Sequence, residues 1–397
     1  MSIRGYRLTF WRSVFFAVVA AGMVVTVVRF TQGLGAVTNL SDEYPWGLWI
    51  GFDVLCGVGL AAGGFTLTAM VYVFNVKRFQ PVVRAAVLTA FLGYLLVIVA
   101  LLFDLGRPWN LWRPLFFWNH QSVMFEVSWC VTLYTTVLAL EFSGMIFEKL
   151  GWEKPVRWQR RITLPLVVMG VILSTLHQSS LGALYLIVPG KLHPLWYTTN
   201  LPLLFFVSAV YVGLAMVIVE SRLSAGAFNR QLEMPLLIEI GQIMLAMLGV
   251  YGVVKVLDLL QRGVVQLALG SSYEARMFQL EVAIGLLLPF LLLLSPNVRR
   301  SIRGLYGASL LVVMGFAVNR LNVSITGFES AQGGTYVPAW SEIAITLMLV
   351  ALGFAAFSFA VRYLNVYPDT EPQRVTYRAQ APARIESSPA MGPARTM

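Results

Sequence analysis

The chain carries titratable side chains inside long apolar stretches, where such groups are costly. His177 lies in the polar stretch 174–180, STLHQSS, within an apolar run. A titratable group in hydrocarbon costs roughly 2.5 to 3.5 kcal/mol on insertion scales, so it needs a partner, a cavity or a function. An imidazole there can donate a hydrogen bond to a carbonyl oxygen and relay protons. We interpret the stretch as part of a polar site, with a hydrogen-bonded core histidine as the alternative.

Three carboxylates share this setting. Asp53 has no cationic residue within a helical turn, so a functional and a structural role fit it equally. Glu126 begins an apolar run, where it could be hydrated at the interface or functional. Glu141 follows fifteen residues later, about 22 Å along a helix axis and about 60° around it. The two glutamates could mark the ends of one polar face and serve a proton route from the cytoplasm, but the favoured interpretation is that Glu141 and Glu220 snorkel to the inner interface.

Other charged groups have local partners in the sequence. Lys255 and Asp258 are three residues apart, as are Asp104 and Arg107, so each pair is predicted to form a structural ion pair within one helix. Gly59 and Gly63, in the same apolar run as Asp53, have the small-xxx-small spacing that lets membrane helices pack closely. A nucleotide-binding loop is the less favoured interpretation, because no strand precedes these glycines.

The elements that carry these residues are predicted to be membrane-spanning helices. Hydrophobic residues make up 58% of the 397-residue chain and charged residues 12%, with a mean hydropathy of +0.73, which excludes a soluble globular domain. A spanning helix needs about 20 apolar residues. Such runs centre on 13–30, 48–75, 84–104, 121–144, 161–187, 200–221, 234–260, 276–296, 304–320 and 340–364. The sequence therefore predicts an all-α polytopic membrane protein with about ten spans, the ninth being the shortest.

The distribution of basic residues predicts the topology. Most Lys and Arg fall on the side that holds the N-terminus, and an even number of spans returns the chain to that side. The positive-inside rule then places both termini in the cytoplasm. This orientation puts most titratable residues near the outer face: Asp53, Asp104, Glu126, Lys255, Asp258, Glu281, Arg320 and Glu342. We therefore expect a polar cavity that opens near the outer face.

Several classes of site and partner are excluded. The net charge of +10 comes from basic residues that lie between the apolar runs. This distribution indicates membrane topology, and it does not predict a basic surface for a nucleic-acid partner. Cys56 and Cys130 lie inside apolar runs, so neither a disulfide framework nor an iron-sulfur or other metal site is expected. Of the three histidines, only His177 lies within a span, so intrinsic haem is not expected.

The chain is predicted to form one transmembrane domain, residues 1–367, followed by a tail. The first apolar run follows three arginines and is interpreted as an uncleaved signal anchor. Residues 368–397 are rich in Pro, Ala, Arg and Ser without periodicity, which predicts a disordered cytoplasmic tail.

Seven motifs give the chain a family resemblance. They are YPWGLWIGFD at 44–53, YVFN at 72–75, DLGRPWN at 104–110, SVMFE at 122–126, HQSSLG at 177–182, HPLW at 193–196 and PAWSE at 338–342. With these motifs the chain resembles the NrfD/PsrC-like family of quinone-interacting integral membrane subunits. Within that family it is most similar to the HybB type of respiratory nickel-iron hydrogenase complexes. The resemblance runs from the first span to the tenth.

The resemblance implies an architecture and a set of site residues. It implies two four-helix bundles, spans 2–5 and 6–9, with flanking helices, and electron transfer without haem or an iron-sulfur cluster in this chain. The positions that match residues around the quinone or its proton exit are Asp53, Tyr94, Glu126 and His177, and Trp46 and Gln178 are expected to contact the quinone. The positions that match proton-transfer residues are Arg84, Glu141 and Glu220.

The predicted function is electron transfer between a periplasmic partner and a quinone. The resemblance implies a ferredoxin-like iron-sulfur subunit at the outer face, the large and small nickel-iron hydrogenase subunits beyond it, and menaquinone or ubiquinone in the bacterial inner membrane. Proton translocation coupled to this electron transfer is a further hypothesis. The chain is then an electron-transfer subunit rather than a complete enzyme. One alternative is the same role in a sulfur-cycle, formate or multihaem cytochrome complex. Another is a secondary transporter with a midplane substrate site.

Overall fold

The computed structural model describes residues 2–3, 6–7, 9–187, 190–332 and 334–367, and side chains from residue 9 onward except at 330 and 332. Strands β1 (Ser2–Ile3) and β2 (Tyr6–Arg7) form a short antiparallel pair in which Ile3 lies opposite Tyr6. The rest of the regular structure in these ranges is helical. The predicted tail, 368–397, lies outside the described residues, and the division into one domain and a tail stays a prediction.

Ten helices are long and apolar enough to cross a membrane, as the hydrophobic runs predicted. They are α1 (Phe10–Gln32), α2 (Trp49–Val73), α3 (Lys77–Asp104), α4 (Val123–Leu150), α5 (Glu153–Ile187), α6 (Leu201–Phe228), α7 (Met234–Gln261), α8 (Tyr273–Leu294), α9 (Ile302–Glu329) and α10 (Trp340–Tyr363). The expectation of a short ninth span was wrong, because α9 has 28 residues. Its polar continuation beyond Arg320 is buried against protein, so the apolar run alone understated its length.

Short elements occupy the connections between these helices. They are Leu34–Ala36, Pro108–Asn110, Arg113–Phe116, Val265–Ala268 and Pro296–Arg300. Local sequence sets the ends of the long helices as well. The Ser122 hydroxyl accepts a hydrogen bond from the Phe125 amide at the start of α4, and Gly151, with φ of 69°, ends that helix. This cap places Glu126 in the first turn of α4.

Helices α2 and α6 form the centre of the molecule. In their most apolar windows 83% and 78% of residues are buried inside the protein, compared with 17% for α1. They cross at Gly63 and Gly213, where a Cβ atom on Gly63 would lie 2.8 Å from the Gly213 carbonyl oxygen. Gly59, one turn earlier, faces the ring of Phe316 on α9. The packing role predicted for the glycines Gly59 and Gly63 is confirmed.

The other helices surround this crossing. Helix α3 packs against α2 and α4, and α4 packs against α5. On the other side α6 packs against α7 and α9, and α8 against α9, while α1 and α10 pack on each other at the periphery. The grouping of these helices into two four-helix bundles stays a prediction.

Four segments of the long helices are π-helical. They are Trp49–Val54, Ala69–Val73, Ala283–Leu287 and Asn322–Thr326. A π-helical turn contains an extra residue, so it changes the face of the helix on which the following residues lie. Such turns often occur at functional sites. The first contains Asp53, and its Gly51 faces Ser324 in the last of the four.

Candidate functional site

Most of the predicted site residues fall into two separate features, a groove and a buried polar cluster. The groove is a cavity of about 350 Å³ between α2, α3, α6 and α10. Asp53 and Glu220 both line it, amid walls that are mainly apolar. Asp53 precedes the crossing of α2 and α6 by ten residues and Glu220 follows it by seven, so the two carboxyls are about 25 Å apart along the helices.

Each groove carboxyl has one hydroxyl partner. The Thr346 hydroxyl donates to Asp53 Oδ2 over 2.8 Å, and the Thr89 hydroxyl donates to Glu220 Oε2 over 2.5 Å. Neither carboxylate forms an ion pair within the described part of the chain. The expectation that Glu220 snorkels to the interface was wrong, because its side chain is buried and tied to α3.

The polar cluster lies on the other side of α2. His177, on α5, is completely buried, with its ring centroid 5.6 Å from that of Tyr94 on α3. The Tyr94 ring packs edge-on against Tyr134 on α4 at 4.7 Å, and both tyrosines lie beside Ser174. Gln178 fixes one edge of the cluster, since its Nε2 donates to the Val58 carbonyl oxygen over 3.2 Å.

Many polar atoms in this cluster converge without hydrogen-bond partners among the described residues. They are Tyr94 Oη, Tyr134 Oη, Ser174 Oγ, both ring nitrogens of His177, Gln178 Oε1 and, farther along α5, Tyr185 Oη. Each such buried group costs about 1–3 kcal/mol when it stays unpaired. In native proteins such groups have a specific reason, which can be an ordered water or ion, stored strain or a catalytic role. The cluster therefore has the donors and acceptors needed to bind a polar group or to pass protons.

Glu126 connects to the cluster through α5. Ser180 Oγ lies 2.5 Å from Glu126 Oε1 and 2.8 Å from the Leu176 carbonyl oxygen. The Ser180 hydroxyl is the donor in both contacts and shares its one hydrogen between the two oxygens. Ser180 follows His177 by three residues and lies on the same side of α5. The contact thus holds the Glu126 carboxyl against α5, one helical turn from His177.

Glu141 is placed at the opposite end of the same cluster. It lies seven residues, or two helical turns, after Tyr134 on α4 and therefore on the same side of that helix. Its backbone carbonyl oxygen accepts a hydrogen bond from Gln159 Nε2 over 3.4 Å. The cluster is therefore bounded along α4 by Glu126 at one end and Glu141 at the other.

The structure does not bring all of the predicted site residues together. Gly57 and Gly93 line the groove, whereas the adjacent Val58 and Tyr94 face the cluster, so one layer of helix separates Asp53 from His177. Trp46 packs edge-on against Tyr185, with ring centroids 5.4 Å apart, near the end of α5.

Arg84 lies apart from both features. Its guanidinium forms two hydrogen bonds with the Glu148 carboxylate, at 2.8 and 2.9 Å, and a third with the Asn365 carbonyl oxygen at 3.0 Å. This geometry ties α3 to α4 and to the segment after α10. A proton-transfer role for Arg84 stays a prediction.

The predicted ion pair between Lys255 and Asp258 was wrong. Lys255 instead pairs with Glu281 on α8, and Asp258 pairs with Arg262 over 2.5 Å. Glu281 also accepts hydrogen bonds from Trp196 Nε1 (2.9 Å), Asn319 Nδ2 (2.8 Å) and Asn322 Nδ2 (3.0 Å). Helix packing turns Lys255 toward α8, which a three-residue spacing on one helix cannot reveal.

The predicted pair between Asp104 and Arg107 was also wrong. Arg107 is exposed in the loop after α3. The guanidinium of Arg29 on α1 is the cation beside Asp104, and it donates to the carbonyl oxygens of Phe103 (2.7 Å) and Leu105 (2.6 Å). These bonds fasten the end of α3 to α1.

Sequence reasoning missed the setting of Arg320. Its guanidinium is buried between the rings of Phe205 and Phe316, at 3.6 and 4.3 Å, and donates to Ser208 Oγ over 2.7 Å. No ion pair to a carboxylate is formed within the ranges that the structure describes. An arginine inside an apolar run was the only signal in the sequence.

The described residues contain no group of three or more His, Cys, Asp or Glu side chains that could hold a metal ion. Of the three histidines, His120 is exposed after α3 and His193 lies in the loop before α6. Two imidazoles facing one another inside the helices, as a bis-histidine haem requires, are not found in the described part of the chain.

Comparisons with known proteins match most of the chain. The model of the family described as "Polysulphide reductase, NrfD" matches residues 36–330. The "Probable Ni/Fe-hydrogenase 2 b-type cytochrome subunit" of Escherichia coli is 35% identical over 87% of this chain and 89% of its own length. A Nitratidesulfovibrio vulgaris protein is 41% identical over 89% of this chain and 94% of its own. The "Menaquinone reductase, integral membrane subunit" of the same organism is 29% identical over 90% and 91%.

Proposed function

This chain belongs to the NrfD family, and from that premise we propose that it is the membrane subunit of a respiratory nickel-iron hydrogenase complex that passes electrons between an iron-sulfur subunit and membrane quinone. The Escherichia coli relative is named a hydrogenase 2 subunit and the menaquinone reductase relative is named for its quinone. Both similarities extend over nearly the whole chain. They therefore support assigning both a hydrogenase partner and a quinone to this chain.

The observation that carries the proposal is the set of unpaired polar atoms around His177, with Glu126 at its edge. Reduction of a quinone takes two electrons and two protons, and positioned imidazole and carboxyl groups supply such protons. We place the quinone ring beside the cluster, between the Glu126–Ser180 contact and the aromatic pair of Trp46 and Tyr185. In this arrangement Glu126 delivers one proton to one quinone oxygen. His177 delivers the second proton from one ring nitrogen while its other ring nitrogen accepts a proton from the Tyr94 side, and the two electrons come from the iron-sulfur subunit.

The proposed orientation puts this end of the cluster at the periplasmic face of the bacterial inner membrane. Its support is the excess of Lys and Arg on the side that holds both termini. A ferredoxin-like iron-sulfur subunit then docks on the periplasmic loops, where it meets the hydrogenase subunits. A short electron path requires the quinone to be near that face, which is where Glu126 begins α4.

Proton uptake is proposed to use the other end of the cluster. Glu141, Tyr134, Tyr94 and His177 form a series of titratable side chains within the helices. A proton that follows this series from the cytoplasm crosses much of the membrane field, worth roughly 2.3 kcal/mol per 100 mV for a full crossing. Quinone reduction would then be electrogenic. Arg84 and Glu220 lie outside the series, so we assign them no step in it.

Electron transfer is proposed to occur without haem in this chain. The Escherichia coli relative is named a b-type cytochrome subunit, so the fit of the residues to haem matters. His177 is the one histidine inside a helix, and its neighbours are tyrosines rather than a second imidazole. A pyridine haemochrome assay on the purified chain tests this directly, and one haem per chain would contradict it.

A second candidate changes only the electron donor. The similarity to a menaquinone reductase subunit supports a role in a different periplasmic oxidoreductase, such as a sulfur-cycle, formate or multihaem cytochrome complex. Affinity purification of the tagged chain from its native membrane, with identification of the co-purified subunits, distinguishes the two. Hydrogenase subunits and hydrogen-dependent quinone reduction are expected. A complex that lacks a hydrogenase, or one that does not react with quinone, would contradict the proposal.

A further inference from the structure

We propose that the groove between α2, α3, α6 and α10 is a binding site for one acyl chain of an anionic phospholipid, whose headgroup lies at the Ser224 end. This site is separate from the His177 cluster and does not depend on the proposed electron transfer.

The shape of the groove suits a single extended hydrocarbon chain. Its lining continues from Phe52 on α2 to Phe228 at the end of α6. Half of a hydrocarbon core of about 30 Å is about 15 Å, which is less than the separation of roughly 25 Å between the two groove carboxyls. The groove is therefore long enough for one acyl chain of a lipid in the leaflet at the Ser224 end.

The side of the groove is accessible from lipid. Two of its lining residues, Leu223 on α6 and Phe354 on α10, are 45% and 58% exposed. Helix α10 packs mainly against α1 and α3, so the gap on its α6 side is the part that a lipid chain would fill. Burial of apolar surface in this gap contributes roughly 25 cal/mol per Å² of favourable free energy relative to exposure of the same surface to water.

Polar groups mark one end of the groove as the place for a headgroup. Ser224 and Ser358 line this end, and the Tyr367 hydroxyl donates to Ser224 Oγ over 3.0 Å. Burial raises the pKa of Tyr367 to about 12, so this tyrosine stays a neutral donor at physiological pH.

Two arginines give the Ser224 end a positive charge. Arg230 follows α6 and stacks over the Tyr367 ring at 3.5 Å, and Arg362 lies one turn after Ser358 on α10. Both are exposed, and neither forms an ion pair with a carboxylate in the described ranges. A phosphate between the two guanidiniums would match this charge. An uncharged quinone would gain no comparable electrostatic attraction from the two arginines. Their charge therefore favours an anionic phospholipid over an isoprenoid quinone.

The test is native mass spectrometry of the full-length chain, delipidated in detergent and titrated with phosphatidylglycerol or, separately, phosphatidylcholine. We expect one phosphatidylglycerol per chain to bind at concentrations where phosphatidylcholine does not. Each arginine near an anionic lipid contributes a factor of about five in affinity. Arg230→Gln and Arg362→Gln should therefore each weaken phosphatidylglycerol binding about fivefold, and together about 25-fold, without affecting phosphatidylcholine.

A second pair of variants tests the groove itself. Gly353→Leu extends into the groove, since a Cβ at Gly353 would lie 2.7 Å from Cδ1 of Leu96, which also lines it. Ala355→Leu adds the same side chain two residues later, at an exposed position outside the lining. Loss of lipid binding in the first variant and retention in the second is expected. Equal affinities for the two lipids, arginine variants that bind like the parent, equal behaviour of both leucine variants, or a retained quinone instead of a phospholipid would each overturn the proposal.

Discussion

Ser180 Oγ lies 2.5 Å from Oε1 of Glu126, which joins α5 to the first turn of α4. The same hydroxyl also donates to the Leu176 carbonyl oxygen over 2.8 Å, so this one side chain bridges the Glu126 carboxyl and the backbone of α5. This contact lies one turn from His177 and makes Glu126 the most direct target for mutation.

Replacement of either proton donor should stop quinone reduction. For His177→Ala and Glu126→Gln, hydrogen-dependent quinone reduction by the purified complex is expected to fall at least about 100-fold, because general acid catalysis contributes about 10²- to 10⁴-fold. Subunit composition should not change. Glu43→Gln, an exposed carboxyl in the loop before α2, is the matched control. Normal rates in both test variants would refute the assigned site.

Loss of the bridging hydroxyl should have a smaller effect than loss of the carboxyl. Ser180→Ala keeps the Glu126 carboxyl but removes its hydrogen-bond partner, so we expect roughly a tenfold lower rate, which corresponds to about 1.4 kcal/mol. Ser128→Ala removes a hydroxyl that bonds only to the Met124 carbonyl oxygen of its own helix, and should leave the rate unchanged. A parent-like rate for Ser180→Ala would show that this contact takes no part in turnover.

Charge movement should depend on Glu141. In proteoliposomes, Glu141→Gln is expected to remove the membrane potential generated during hydrogen oxidation by quinone, because this residue is the cytoplasmic end of the proposed series. Hydrogen oxidation by a soluble dye that bypasses the quinone should continue. Glu153→Gln, which changes an exposed carboxyl at the start of α5, serves as the control. A potential of normal size in Glu141→Gln would exclude this proton route.

The buried pair of Lys255 and Glu281 should matter for stability. Removal of one partner leaves an uncompensated buried charge, so Lys255→Met and Glu281→Gln are each expected to destabilise the protein by about 3–5 kcal/mol. Arg78→Gln breaks an exposed pair with Glu239 and should cost less than about 1 kcal/mol. Denaturant unfolding in detergent micelles measures all three. Equal losses in the buried and exposed pairs would contradict the assigned roles.

The crossing of the two central helices should be intolerant of a single methyl group. Gly213→Ala places a Cβ atom against the backbone of Ala62 and Gly63, which cannot move aside as a flexible side chain can. We expect a loss of at least about 2 kcal/mol in the free energy of unfolding. Gly307→Ala, on α9 with nothing within 4 Å of the added atom, should be neutral or slightly stabilising. Similar stability of the two variants would argue against close contact at this crossing.

The sequence by itself determined the number of helices and the inventory of polar groups. A bilayer imposes a length of about 20 apolar residues per span, so ten apolar runs predict ten helices without knowledge of any contact. The same runs identified Asp53, Glu126 and His177 as unusual, because a titratable residue in hydrocarbon stands out wherever it occurs. Local spacing also correctly predicted that Gly59 and Gly63 pack against other helices.

Only the tertiary structure decided which of these groups meet. The rotation of each helix is set by contacts with segments far away in the chain, such as the approach of Gly63 to Gly213. That rotation directs Lys255 toward Glu281 rather than toward Asp258, and it puts Asp53 and His177 on opposite sides of α2. Spacing along one helix specifies a face, but the neighbour of that face is fixed by packing, because helices in lipid associate through close backbone approach and complementary polar contacts.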